Sequence, residues 1–240
     1  MKLRLSALRR LIRESLVPSP APGAGDAELR KILGKYSKPG LYVTFTTSEF
    51  KHEVNDENPN DHNNHEGIWS YIIPWLISGN RLDFAHASAE CYVTVFRVSQ
   101  PTKLLRTRGF DRRRFDEVMN LARKAYGRDV IDSFLENEKR DSDEWFASNK
   151  AHADEDPDYA EIYNDSKNMS PFVELDSMSA KIESGNGHDR TAMRNFYLKL
   201  GFIGIEDRES EIDTTAETCV IFDPSQIQVV HQFKNPNCEK

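Results

Sequence analysis

Three cysteines are all that 240 residues contain, and none belongs to a C-x-x-C pair. Cys91, Cys219 and Cys238 are odd in number and widely spaced, which indicates neither a zinc ribbon nor a disulfide framework. Cys91 and Cys219 lie in apolar runs, so the sequence reads them as buried thiols in a reducing compartment. Long apolar runs are lacking too. None approaches the roughly 18 residues of a membrane-spanning helix, so no membrane partner is expected. No G-x-G-x-x-G opens a helix and no P-loop is present, which removes two common phosphate cradles. A G-x-S-x-G nucleophile elbow is absent. Positive charge is in deficit: 39 acids face 32 Lys and Arg, a net charge of -7. A protein of that charge does not attract nucleic acid through its overall field, and no nucleic-acid partner is expected.

What is present suits a folded α+β chain. Thirteen Phe, eight Tyr and three Trp supply aromatic area for a core. Charge is unevenly placed. In residues 1–16, Lys2, Arg4, Arg9, Arg10 and Arg13 stand against Glu14 alone, a local charge of +4. Residues 132–165 carry twelve acids against Lys139, Arg140 and Lys150, a local charge of -9.

The first segment has the period of a short amphipathic helix, with Leu5, Leu8, Ile12 and Leu16 on one stripe. Packing on the body, docking onto a partner, and a mitochondrial presequence are the three readings its composition allows. Pro18, Pro20 and Pro22, then Gly23 and Gly25, end it in a linker. Residues 1–25 thus form a basic N-terminal helix and Pro/Gly linker, and 26–240 a single domain.

Within that domain Asp26 is the expected N-cap of a helix running to Gly34. Runs rich in β-branched and aromatic residues predict strands at 41–46 and 68–73, the second stopped by Pro74, and at 91–98. Helical spacing follows from Phe115 to Ala122, ending near Gly127, and continues into the acidic stretch. This predicts an acidic, solvated helical insertion at about 111–185. Residues 189–200 form another helix stopped by Gly201, and 218–223 and 228–233 are the last strands. Strands, then helices, then strands is an α+β order.

The loop KHEVNDENPNDHNNHEG carries His52, His62 and His65. His62 and His65 are spaced to bind a metal from one helical turn. Their Asn, Asp and Pro neighbours oppose a helix, and no nearby Cys completes a site. The loop reads as a long polar loop, and no metal is expected.

The chain end carries the most specific pattern. Leu200-Gly201-Phe202-Ile203-Gly204-Ile205 closes a helix, and Val220-Ile221-Phe222-Asp223-Pro224-Ser225-Gln226-Ile227 follows. With the strand segments 43–46 and 67–71, this resembles the ADP-ribosyltransferase-like domains of bacteriophage and mobile-element (polyvalent) proteins. The likeness covers about 41–98 and 189–231.

The resemblance implies a split β-sheet fold with a cleft that takes NAD as substrate, with no metal. It implies cofactor-binding positions at Tyr42, Thr44 and Thr46 on the first strand. The implied catalytic residues are Ser70 and Tyr71, in polar and stacking roles on the second strand, and Glu217, which supplies the carboxylate. The sequence departs from the family at two points. Glu217 lies one or two residues early, where Thr218 and Cys219 hold the usual places, and the first strand lacks the Arg or His of well-characterised transferases.

The implied function is a mono-ADP-ribosyltransferase acting on a host or viral protein. The alternative is a catalytically degenerate virion-associated or adaptor module, tethered through the N-terminal helix. The implied location is the cytoplasm of an infected host cell, or the virion.

Overall fold

The protein, seen in a computed structural model, is described over residues 24–51, 66–78, 82, 90–185, 187, 189–208 and 216–238. The basic segment 1–16, linker residues 17–23 and the His52, His62 and His65 loop lie outside the described residues. The chain divides into two compact units: residues 109–201, and the remainder on either side of them.

The first unit is built on a seven-stranded sheet. Helix α1 (Ala24–Gly34) precedes β1 (Leu41–Thr46) and β2 (Ile68–Ile72), which runs into α2 (Ile73–Ile77). Then come β3 (Tyr92–Val98), β4 (Leu104–Arg106), β5 (Gly204–Asp207), β6 (Thr218–Ile221) and β7 (Ile227–Lys234). The order across the sheet is β4-β5-β6-β2-β1-β3-β7, antiparallel except for β4 beside β5.

Two local expectations shift. Helix α1 starts at Ala24, two residues before the expected cap. Pro74 does not merely stop β2; it sits in the first turn of α2. Proline costs nothing there, because the N–H it lacks would be unpaired in any case.

Strand alternation supplies the core. Val43, Val93 and Val95 are fully buried, as are Leu29 and Leu33 of α1 and Ile73 and Leu76 of α2. Burying each such side chain contributes about 1.5–3 kcal/mol. On one face of the sheet Tyr71 stacks on Trp75 of α2, ring centroids 6.3 Å apart, and His231 of β7 stacks on Tyr36 at 5.6 Å.

The glycines of the Leu200–Ile205 run have separate physical duties. Gly201 takes φ 90°, a left-handed conformation that stops the preceding helix. Gly204 lets β5 lie against β6: a Cβ there would meet the Val220 carbonyl oxygen at 2.3 Å.

The Asp223–Gln226 turn is a latch. The Asp223 carboxylate accepts from Ser225 N at 3.1 Å and Ser225 Oγ at 2.6 Å. Gln226 Oε1 accepts from Ser99 Oγ at 2.6 Å and Gln100 Nε2 at 2.9 Å. These bonds fix the start of β7 beside the end of β3.

At the other end of the same ladder, Cys91 and Cys238 form a disulfide, with Cα atoms 4.9 Å apart. This corrects the reading of Cys91 as a buried thiol. The pair is 147 residues apart and has no local motif. The ladder brings the two together, because Tyr92 pairs with Lys234. Cys219 alone is a buried free thiol.

The second unit is helical: α3 (Arg112–Tyr126), α4 (Arg128–Glu155), α5 (Pro157–Lys167), α6 (Pro171–Ser184) and α7 (Arg190–Lys199). Asp111, Ser170 and Asp189 each cap a helix by accepting a backbone N–H. Phe115, Val118, Met119 and Ala122 form the buried face of α3, as their spacing predicts. Phe110 meets Phe172 edge-on at 5.5 Å, and Tyr197 donates to Asp176 Oδ1 at 2.9 Å. The unit runs past the predicted insertion because α7 packs on α6. Beyond Ile131, α4 and α5 bury no residue fully. Among the described residues no helix is long and apolar enough to cross a membrane.

Candidate functional site

The sheet opens between its two central strands. β1 pairs with β3 over all six of its residues, but with β2 only through Tyr42–Ile72 and Val43–Tyr71. Among the described residues, Thr44–Thr46 and Ile68–Ser70 therefore have ladder partners on one side only, from β3 and β6 respectively.

Directly opposed residues share a face, and successive residues alternate. Tyr42 opposes Ile72, so Tyr42, Thr44, Thr46 and Ser70 share one face. Glu217 precedes β6, and its carbonyl accepts from Ile72 N at 3.2 Å, which sets it opposite Ile72 in the same row. Tyr71 lies on the other face, among Val43, Phe45 and Trp75. Ser70 and Tyr71 are consecutive strand residues, so the two cannot line the same cleft.

Accessibility divides the shared face. Thr46 and Glu217 are partly exposed, whereas Tyr42, Thr44 and Ser70 are buried. Ser70 Oγ donates to the Cys219 carbonyl at 2.7 Å, and Thr46 Oγ1 donates to the Ser48 carbonyl at 2.7 Å. The Tyr42 phenol and the Cys219 thiol lie on the same buried face. Burial, and then the nearby Cys219 and Glu206, push the Tyr42 phenol well above its usual range. Burial also raises the Cys219 thiol, with Glu206 adding to the shift and the Tyr42 hydroxyl opposing it. A thiol so shifted stays protonated and is not a nucleophile at neutral pH.

Sequence reasoning missed two features of this face. The first is Glu206, opposite Cys219 and almost fully buried. Its carboxylate accepts from Arg106 Nε at 3.0 Å and from Arg208 Nε at 2.6 Å, so the charge is compensated from both sides. Two acids in a short strand, Glu206-Asp207, with an Arg next in sequence, were the available signal. The second is Phe50, stacked over Phe96 at 6.4 Å. Phe96 opposes Tyr42, so Phe50 covers the same face. Nothing in the polar run around Phe50 marks it.

Among the described residues no three His, Cys, Asp or Glu side chains gather as metal ligands. The histidine loop lies outside those residues. No family model, curated protein or solved structure matches this chain.

Proposed function

We propose that this chain is a mono-ADP-ribosyltransferase that moves ADP-ribose from NAD to a side chain of a host or viral protein. The observation that carries this reading is the placement of Thr44, Thr46, Ser70 and Glu217 on one face of the sheet, the first three along the opening between β1 and β2 and Glu217 opposite Ile72 at its paired end. The Leu200–Ile205 and Val220–Ile227 patterns support it from the sequence.

In this reading NAD is a substrate. The bond between the nicotinamide nitrogen and ribose C1′ breaks, and its electron pair leaves with neutral nicotinamide. The acceptor side chain then bonds to C1′ and gives up its proton. Positive charge grows on the ribose as the leaving group departs, and the Glu217 carboxylate is the preorganised negative charge that stabilises it. Thr44 and Thr46, with the unpaired side of β1, hold the nicotinamide riboside. Phe50 takes the stacking role that Tyr71 cannot fill from the other face. Ser70 and Tyr42 act as positioning residues, because Ser70 is already bonded to the Cys219 carbonyl and Tyr42 is buried. The Cys91–Cys238 disulfide favours the virion over the reducing cytoplasm as the place where the protein resides.

Incubation with labelled NAD and host lysate tests the reading. Glu217→Gln should lower labelling by about a hundredfold or more, the usual loss for a removed electrostatic stabiliser. Equal labelling by both proteins removes Glu217 from catalysis.

The second reading is a non-enzymatic virion or adaptor module of the same fold. It is favoured by the internal hydrogen bond that occupies Ser70 and by the burial of Tyr42 and Thr44. Absence of both labelling and NAD hydrolysis would select it. Deletion of residues 1–25 should then abolish partner association without unfolding the body.

A further inference from the structure

Helices α4 and α5 form an arm with little core of its own. Trp145 stacks on Tyr163 at 5.9 Å, Phe146 meets Tyr163 edge-on at 5.2 Å, and the Tyr159 hydroxyl donates to Asn149 Oδ1 at 2.6 Å. These contacts zip the helices together but leave large apolar groups in water. Trp145 is 37% exposed and Ile162 is 56% exposed. On a helix the neighbours of a residue are three and four positions away. Trp145 therefore has Asp141 beside it, and Ile162 has Asp158 and Asp165. All three are exposed. The arm presents two exposed apolar points with carboxylates beside them, Asp141 being paired with Arg140 at 3.4 Å, within a stretch of charge -9.

The complementary pattern occurs in the same chain. Residues 1–16 carry an apolar stripe of Leu5, Leu8, Ile12 and Leu16, flanked by Arg9, Arg10 and Arg13, at a local charge of +4. They are separated from α1 by residues 17–23, which include Pro18, Pro20 and Pro22. A basic amphipathic segment laid on an acidic, apolar helical face is a recurrent mode of recognition.

We infer that the α4–α5 arm is the docking site for the basic N-terminal segment of a second copy of this chain. Reciprocal exchange about a two-fold axis covers both faces in both molecules at once.

Sedimentation velocity of the full chain tests it. A dimer should form at about 0.1 M salt and dissociate toward about 1 M, as the screening length falls from about 10 Å to about 3 Å. The triple variant Arg9→Glu, Arg10→Glu, Arg13→Glu should weaken association by about tenfold to a hundredfold, the scale of three exposed ion pairs. Trp145→Ala with Ile162→Ser should weaken it as well, with the thermal midpoint checked to show that the arm stays folded. The decisive arm mixes the two variants. One keeps its arm and the other keeps its leader, so the mixture should associate more tightly than either variant alone. A wild-type monomer at low salt overturns the inference. So does a dimer indifferent to both variants, or a mixture that stays monomeric.

Discussion

Ser70 donates its hydroxyl to the backbone carbonyl of Cys219 at 2.7 Å, across the β2–β6 ladder. The bond is buried and fastens β2 to β6 at the point where β2 has left β1. It converts a residue that reads as a ligand-binding serine into a clamp on one wall of the opening. Ser70→Ala should cost about 1 kcal/mol, the net worth of a buried hydrogen bond. Urea unfolding checks this. An unchanged midpoint would show that the bond contributes nothing.

Thr94 predicts the opposite sign. It is fully buried opposite Thr44, and its Oγ1 has no hydrogen-bond partner among the described residues. An unsatisfied buried hydroxyl costs about 1–3 kcal/mol, and an apolar group of the same shape escapes that cost. Thr94→Val should therefore leave the melting temperature unchanged or raise it. A clear fall would reveal a partner for the hydroxyl.

Gly204 sets the spacing of β5 and β6. A Cβ placed 2.3 Å from the Val220 carbonyl oxygen meets backbone, which does not give way as a side-chain tip does. Gly204→Ala should destabilise by about 2 kcal/mol or more, in the range of overpacked cores. Gly201→Ala, where only the backbone angle is at issue, should cost about 1 kcal/mol. Equal losses in the two variants would remove the steric argument.

Thiol counting tests the disulfide directly. Denatured, unreduced protein should show the single thiol of Cys219, and reduced protein should show all three. Reduction should also lower stability by about 2–4 kcal/mol, because the bond closes a long loop of the unfolded chain. Three thiols before reduction would refute the pairing.

Alkaline stability follows from buried protonated groups. Cys219, Tyr42 and Tyr197 all have raised pKa values, with burial as the first cause in each. The folded state holds these protons more tightly than the unfolded one. Their contribution is fully present below the unfolded values, 9.0 for the thiol and 10.0 for the phenols, and is lost as pH rises past them. Unfolding free energy should fall from about pH 9 upward, with phenolate absorbance from Tyr42 and Tyr197 appearing only on unfolding. Early, reversible ionisation of all tyrosines in the folded protein would contradict this.

The motif at Val220–Ile227 shows how legibility divides. Its residues are plain in the sequence, yet their work is mostly architectural. Asp223 and Ser225 build the turn, and Gln226 ties it to Ser99 and Gln100. A pattern of residues can mark a fold strongly while saying little about chemistry, since a fold does not imply a function. The candidate site was legible one strand at a time. Thr44, Thr46 and Ser70 stand out as polar residues in strands, but the alternation that separates Ser70 from Tyr71 acquires meaning only once a face is defined.

The sequence by itself determined the strand at 41–46, the strand read as 91–98 to within a residue, and the helical character of about 111–185 and 189–200. Those elements depend on side-chain period, capping aspartates and glycines within a few residues of one another. Tertiary structure alone decided the Cys91–Cys238 bond, the opening between β1 and β2, and the burial of Glu206 between Arg106 and Arg208. Each joins groups distant along the chain or depends on which strands become neighbours. Ladder register brings such groups together, and no local pattern of residues encodes it.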